Sequence, residues 1–283
     1  AGKANWGKVK QTLKMIDEAR ARDIDITCDV YPYTAGSFDL ASMLPAWTRE
    51  GGSEKLFKKL RDPEIREKIR KEMDDGTSKW PSPLKAAGWD ATIIARSKRH
   101  PEFEGKSVEE ITRSRGIDTF EFVFDLLIEE RADVWVVRFA MCKEDVRRVI
   151  QHPLSMIGSD SSARAPHGIL GQGKPHPRGY GTFPRILGKY VRKKKTLTLE
   201  NAIRKMTSLP ARKLRLEERG LIKEGLYADI TIFNPEAIID KATYAEPHQY
   251  PEGIEYVLVN GKIAVERNTQ KETLAGKALR KHS

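Results

Sequence analysis

The segment MIGSDSS, residues 156–162, decides how this chain is read. The apolar positions Leu154, Met156 and Ile157 run into a glycine, and an aspartate then appears between serines. An Asp after a strand-like run has two readings. It caps the helix or turn that follows, a common task for Asp and Ser. Or it marks the C-terminal end of a barrel strand, where folds of that kind keep their chemistry. The surrounding sequence has to choose.

Upstream, GKVKQTLKMIDEARAR (7–22) places Val9, Leu13, Ile16 and Ala19 at helical spacing. DIDITCDVYPY then turns alternating and β-branched, which predicts a strand of about seven residues ending near Tyr31. From Phe38 to about Ala132 the rhythm changes. Charged amphipathic helices are predicted over about 53–74, 107–115 and 118–130, interrupted by WPSPLKAAGWD, and the whole reads as a helical excursion. VWVVRFA (134–140) predicts a second strand, EDVRRVIQH a short helix, and LSMIG a third strand that delivers Asp160.

Downstream lies a loop rich in Gly, Pro and His, GILGQGKPHPRGYGTFP, then a helix bearing Ile186, Leu187 and Tyr190. LTLENAIRKMTSLPARKLRL predicts a helix and, after Pro210, a second helical segment. From Gly220 the character is β, with Asn260-Gly261 as a hairpin turn and KALRKHS as a frayed tail. Strand–helix alternation followed by a small β end favours an α/β fold with parallel strands. Two or three central strands are too few to close a barrel of eight. Either the sheet is small and open, or part of a barrel is absent.

Composition narrows the function. In 283 residues, 39% are hydrophobic and 32% charged, as in an ordinary soluble protein, and no apolar run reaches the length of a membrane helix. No signal-peptide pattern is present, and the missing initial Met is taken to mean that the true start lies elsewhere. Two cysteines, Cys28 and Cys142, are too few for a disulfide framework and predict free thiols in a reducing, cytoplasmic setting. The net charge of +11 invites a nucleic-acid partner, but Lys and Arg are interleaved with 40 acidic residues. The dense run Arg192-Lys193-Lys194-Lys195 has no aromatic platform beside it. Solvated helix faces with ion pairs are the better reading, with neither nucleic acid nor membrane as partner.

Six segments in order, ANWGK, DVYPYTAGS, IGSD, PHPRGYGTFPR, MTSLPARKLRL and ADITIFNP, together resemble the N-acyl-D-amino-acid deacylases of the amidohydrolase superfamily. The resemblance covers most of the chain outside residues 40–130. It implies a zinc-dependent (β/α)8 TIM-like barrel with a helical insertion and a small β-sandwich, of which this chain is the C-terminal part. The implied division is 1–37 for a late barrel unit, 38–132 for the insertion, 133–218 for the last barrel strands, 219–270 for the β-sandwich and 271–283 for the tail. One or two zinc ions are implied, with most ligands upstream of Ala1, because none of the six histidines stands in an HxH pair or at a recognisable strand end.

The resemblance also assigns roles. Asp160 would be the proton-shuttling carboxylate and a zinc ligand, since amide hydrolysis needs a group that takes a proton from water and returns it to the departing nitrogen. Ser161 stands where the family often has glycine. Arg178 would grip the α-carboxylate of an N-acyl amino acid in a bidentate pair, with Tyr31 and Ser37 holding the same end. His176 and His167 are weak candidates for metal ligands, and Cys28 reads as a small core residue. The implied reaction releases a carboxylate and a D-amino acid. Two other readings remain open: an amidohydrolase acting on a cyclic amide, hydantoinase- or dihydroorotase-like, and a non-catalytic scaffold on the same fold. Oligomeric state is not legible in the sequence.

Overall fold

The computed structural model describes residues 1–75 and 83–280; part of the WPSPLKAAGWD segment and the last three residues of the tail lie outside them. The chain opens with α1 (Val9–Arg20), which buries Leu13 and Ala19 and half-buries Val9 and Ile16, as the spacing requires. β1 (Cys28–Val30) follows. β2 (Ala35–Asp39), the helices α2 (Ala46–Arg49), α3 (Ser53–Leu60), α4 (Pro63–Asp75) and α5 (Pro83–Ala86), β3 (Thr92–Ser97), α6 (Val108–Arg115), α7 (Thr119–Glu129) and β4 (Val134–Phe139) come next. Then α8 (Lys143–Gln151) leads into β5 (Ser155–Ile157).

β1 and β5 pair in parallel, Cys28 opposite Ser155 and Val30 opposite Ile157. β1 is three residues long rather than seven because its partner β5 offers only three positions. All three residues of β5 are buried, as a strand covered on both faces demands. Beneath the pair, Val146, Ile150, Ile157, Ile186, Leu187 and Tyr190 form one apolar core. Lys205 lies in it with no exposed surface. Its ammonium donates to the carbonyl (3.0 Å) and hydroxyl (2.9 Å) of Ser155 and to the His152 carbonyl, and so fixes the start of β5.

The excursion differs from its expectation. Its helices occur where the apolar periodicity put them, except that 53–74 is divided into α3 and α4 ahead of Pro63, and it also contains a three-stranded antiparallel sheet in the order β2-β4-β3. β4 therefore pairs inside the excursion, Val137 opposite Ser37 and Ile93, and is not a third parallel strand. The boundaries at 38 and 133 cut this sheet, because an apolar run reveals a strand but neither its partner nor its direction. The excursion has a large core of its own, including Leu40, Leu44, Phe57, Met73, Phe124 and Val136. Its charged faces are ion-paired: Arg70 reaches Asp118 through two bonds of 2.7 and 2.9 Å, and Asp118 also caps α7 through the amides of Phe120 and Glu121.

Beyond a long loop, α9 (Arg178–Arg185) continues directly into a π-helix (Ile186–Lys193). α10 (Leu199–Met206) and α11 (Ser208–Lys213) are separated at Thr207 (φ −130°, ψ −86°). The break precedes Pro210 rather than following it, because proline is tolerated in a helix's first turn, where its missing N–H is not needed. β6 (Ile230–Phe233), β7 (Ile254–Val259), β8 (Lys262–Glu266) and β9 (Thr269–Gln270) form one antiparallel sheet. Asn260 (φ 49°) and Gly261 (φ 76°) make the expected hairpin turn between β7 and β8. The tail is docked as far as Ala275, which is buried and accepts a 2.7 Å bond from Asn260 through its carbonyl. None of the described helices is long and apolar enough to cross a membrane.

Candidate active site

β5 ends at Ile157, and three residues later the chain turns at Asp160 in the left-handed region (φ 49°). Asp tolerates that conformation better than most residues, since its short polar side chain can bond locally. The carboxylate does not cap a helix. It projects into a cavity of about 920 Å³ and meets the Arg178 guanidinium, Nη2 to Oδ2 at 2.9 Å. The pair is lopsided: the Asp160 side chain is 69% exposed and that of Arg178 only 9%. The arginine is thus built into the wall, while the aspartate is free to move.

Three contacts fix Arg178. Its guanidinium lies 4.8 Å from the centre of the Tyr31 ring, a cation–π distance. Its amide donates to Nδ1 of His176 (3.0 Å), and its carbonyl accepts from the Thr182 hydroxyl (2.8 Å). Because His176 Nδ1 accepts, Nε2 carries the proton, which it donates to the Ala35 carbonyl at 2.9 Å. His176 therefore ties the start of α9 to the first residue of β2, two positions before Ser37. Both ring nitrogens are committed, so His176 is a strut and not a metal ligand. Tyr31, Tyr33 and Tyr244 surround it edge-on at 5.1 to 5.9 Å between centroids.

Burial drives the His176 imidazolium down to about 3. Its folded pKa lies below the ordinary histidine value of 6.5, so between those limits the unfolded chain binds the extra proton. The stability it contributes is complete above pH 6.5 and is lost as pH falls toward 3. Urea midpoints measured across that window are expected to fall more steeply in the native chain than in His176→Gln; equal slopes would show that this histidine titrates normally.

Of the four residues singled out in the sequence, Ser37, Asp160 and Arg178 line the cavity. Tyr31 stands behind Arg178, its hydroxyl 3.6 Å from where a β-carbon on Gly36 would lie. Burial raises the Tyr31 phenol, an effect Arg178 partly offsets. The four are gathered, with Tyr31 in the supporting layer. His167 precedes the turn at Gly168–Gly171 and does not line the cavity. Cys28 and Cys142 are free thiols, each raised by burial. Among the described residues no three His, Cys, Asp or Glu side chains gather to hold a metal ion.

Sequence reading missed the device that anchors α9. Arg185 pairs with Asp240 (2.6 Å) and donates to the Pro32 carbonyl (3.1 Å), with its guanidinium over the Tyr33 ring. Two glycines make room: a β-carbon on Gly181 would stand 2.4 Å from the Tyr33 hydroxyl, and one on Gly188 2.4 Å from the Ile238 carbonyl. The signal available was the spacing of seven between Arg178 and Arg185, which places both on one helix face. Asp240→Asn leaves a mostly buried guanidinium without its counter-charge. A stability loss of about 3 kcal/mol is expected in denaturant titration; a loss below about 1 kcal/mol would mean that the pair is screened as surface pairs are.

A protein-family profile described as "Amidohydrolase family" matches residues 14–265. The chain belongs to that family. This amidohydrolase chain is 36% identical over 258 residues to N-acyl-D-glutamate deacylase from Alcaligenes xylosoxydans xylosoxydans, covering 91% of the chain and 42% of that relative. A crystal structure of D-aminoacylase matches with a TM-score of 0.72 and 32% identity, over 99% of this chain and 48% of the other. The N-acyl-D-glutamate deacylase from Bordetella bronchiseptica, complexed with zinc and a phosphonate inhibitor, matches with a TM-score of 0.68 and 32% identity over 93% of this chain and 44% of its own. The resemblance to N-acyl-D-amino-acid deacylases holds in both sequence and structure. The amidohydrolase chain spans about half the length of the relatives it matches.

Proposed function

We propose that this amidohydrolase chain serves the hydrolysis of N-acyl-D-amino acids to a carboxylate and a D-amino acid. The observation that carries the reading is a carboxylate already seated on Arg178: Asp160 Oδ2, 2.9 Å from a guanidinium locked into the cavity wall. A substrate α-carboxylate would take the same place, with Ser37 and the Tyr31 hydroxyl at the same end. Its arrival frees Asp160 to accept the proton of the attacking water and to return it to the leaving nitrogen. Each residue thus has a task in one geometry.

Zinc belongs to the proposal through the relatives, with Asp160 as the donor this chain offers. Zinc takes four ligands, of which three come from protein in catalytic sites. The described residues do not by themselves gather such a set, and Asp160 is the one carboxylate of this chain assigned to it. Also within the proposal, β1 and β5 are neighbouring strands of a (β/α)8 barrel, and β6–β9 are one layer of a β-sandwich. Free cysteines support a cytoplasmic setting.

The test is an amine-release assay on the zinc-supplied protein with N-acetyl-D-amino acids, their L-enantiomers, and cyclic amides such as hydantoins and dihydroorotate. Release of D-amino acids alone is expected. Preferential opening of a cyclic amide would replace this reading with the hydantoinase-like one. Absence of any turnover with stoichiometric zinc bound would favour the scaffold.

A further inference from the structure

The cavity wall holds three guanidiniums, and they are unevenly served. Arg178 meets Asp160, and Arg96 meets Asp133. The third wall carboxylate, Asp39, caps the following 3-10 turn by accepting from the Ser42 amide at 2.8 Å. Arg164 has no carboxylate partner among the described residues; its Nε–H, like that of Arg96, is closed off from solvent without an acceptor. A partly desolvated cation without a counter-charge is costly, and an anion at its terminal nitrogens supplies that counter-charge.

The position of Arg164 is built. A β-carbon on Gly179 would stand 2.7 Å from Ser161 Oγ and 3.2 Å from Arg164 Cγ. Segment 161–164 therefore folds down onto the first turn of α9, into space that only glycine leaves. The stem of Arg164 crosses that turn beside Gly179, the residue after Arg178, and both arginines line the cavity. Two cations on the wall of one cavity suit a ligand with two anionic groups.

We propose that Arg164 receives the side-chain carboxylate of the substrate, making this a site selective for N-acyl amino acids with acidic side chains. The proposal rests on the deacylase reading, in which Arg178 takes the α-carboxylate. The other candidate, Arg96, is already neutralised by Asp133. With a neutral side chain bound, Arg164 stays unpaired in a cavity from which water has been displaced. With an acidic one it gains a charge-assisted bond, which corresponds to about a 10- to 100-fold preference.

N-acetyl-D-glutamate and N-acetyl-D-glutamine have nearly the same size and shape and differ in that one charge. Their kcat/KM values and calorimetric affinities are compared on the full-length, zinc-supplied protein. The glutamate compound is expected to be favoured about 10- to 100-fold. The ratio should collapse toward one in Arg164→Gln, and Arg164→Lys should restore part of it by returning the charge without the planar fork. Equal handling of the two by the native protein, or a preference that survives in Arg164→Gln, overturns the proposal and leaves the deacylase reading standing. Failure to bind or process any N-acetyl-D-amino acid overturns both.

Discussion

Arg178→Met is expected to raise KM for N-acyl-D-amino acids and to lower kcat/KM by about a hundredfold or more, because truncating one partner of a desolvated charge pair costs roughly 2–5 kcal/mol. Methionine keeps much of the stem that packs against Tyr31 and removes only the fork. Little stability should be lost with it, since the abandoned Asp160 is 69% exposed and returns to water. The specificity of the effect is checked with α-carboxamide substrates. The native protein should already be slow on these, and Arg178→Met should slow them no further. An Arg178→Met penalty equal for the acid and the amide would mean that the residue supports the fold rather than the carboxylate.

Asp160→Asn is expected to move the other parameter. Replacing a general acid–base group costs about 10²- to 10⁴-fold in rate, so kcat should fall by that order. KM should stay level or fall. In the free chain the Asp160 carboxylate competes for Arg178, and asparagine, being uncharged, competes far less. Steady-state kinetics on the two variants therefore give opposite signatures, one in KM and one in kcat. If Asp160→Asn raised KM as Arg178→Met does, the aspartate would be a binding residue, and the proposed proton transfer would have to belong to another group.

How much of this was legible in the sequence depends on how local the signal was. Asp160 could be read because its strand and its loop adjoin it in sequence. Arg178 could be singled out because the HPR motif within PHPRGYGTFPR is contiguous in sequence. The spacing of α1 and the Asn260-Gly261 hairpin were readable for the same reason, each being decided within a few residues. β4 was visible as a strand but not as a member of an antiparallel sheet, because its partners Ala35–Asp39 and Thr92–Ser97 are distant in sequence and carry no register signal. Asp240 lies in an irregular stretch with no periodicity, and only the fold brings it to Arg185. His176 read as a weak ligand candidate, and burial with two committed nitrogens makes it structural, though its partners Ala35 and the Arg178 amide could not be named from the sequence.

The excursion has its own apolar core, yet β2 and β3 also lend Ser37 and Arg96 to the cavity wall. One side of the site is thus mounted on a unit whose interior packing is separate from the strand pair that delivers Asp160. Substitutions along that wall would then be borne by a core that does not support Asp160, the carboxylate proposed to move the proton. Such a division lets a lineage change what it recognises while keeping how it reacts, and it identifies the excursion as the place to randomise in a library aimed at new substrates.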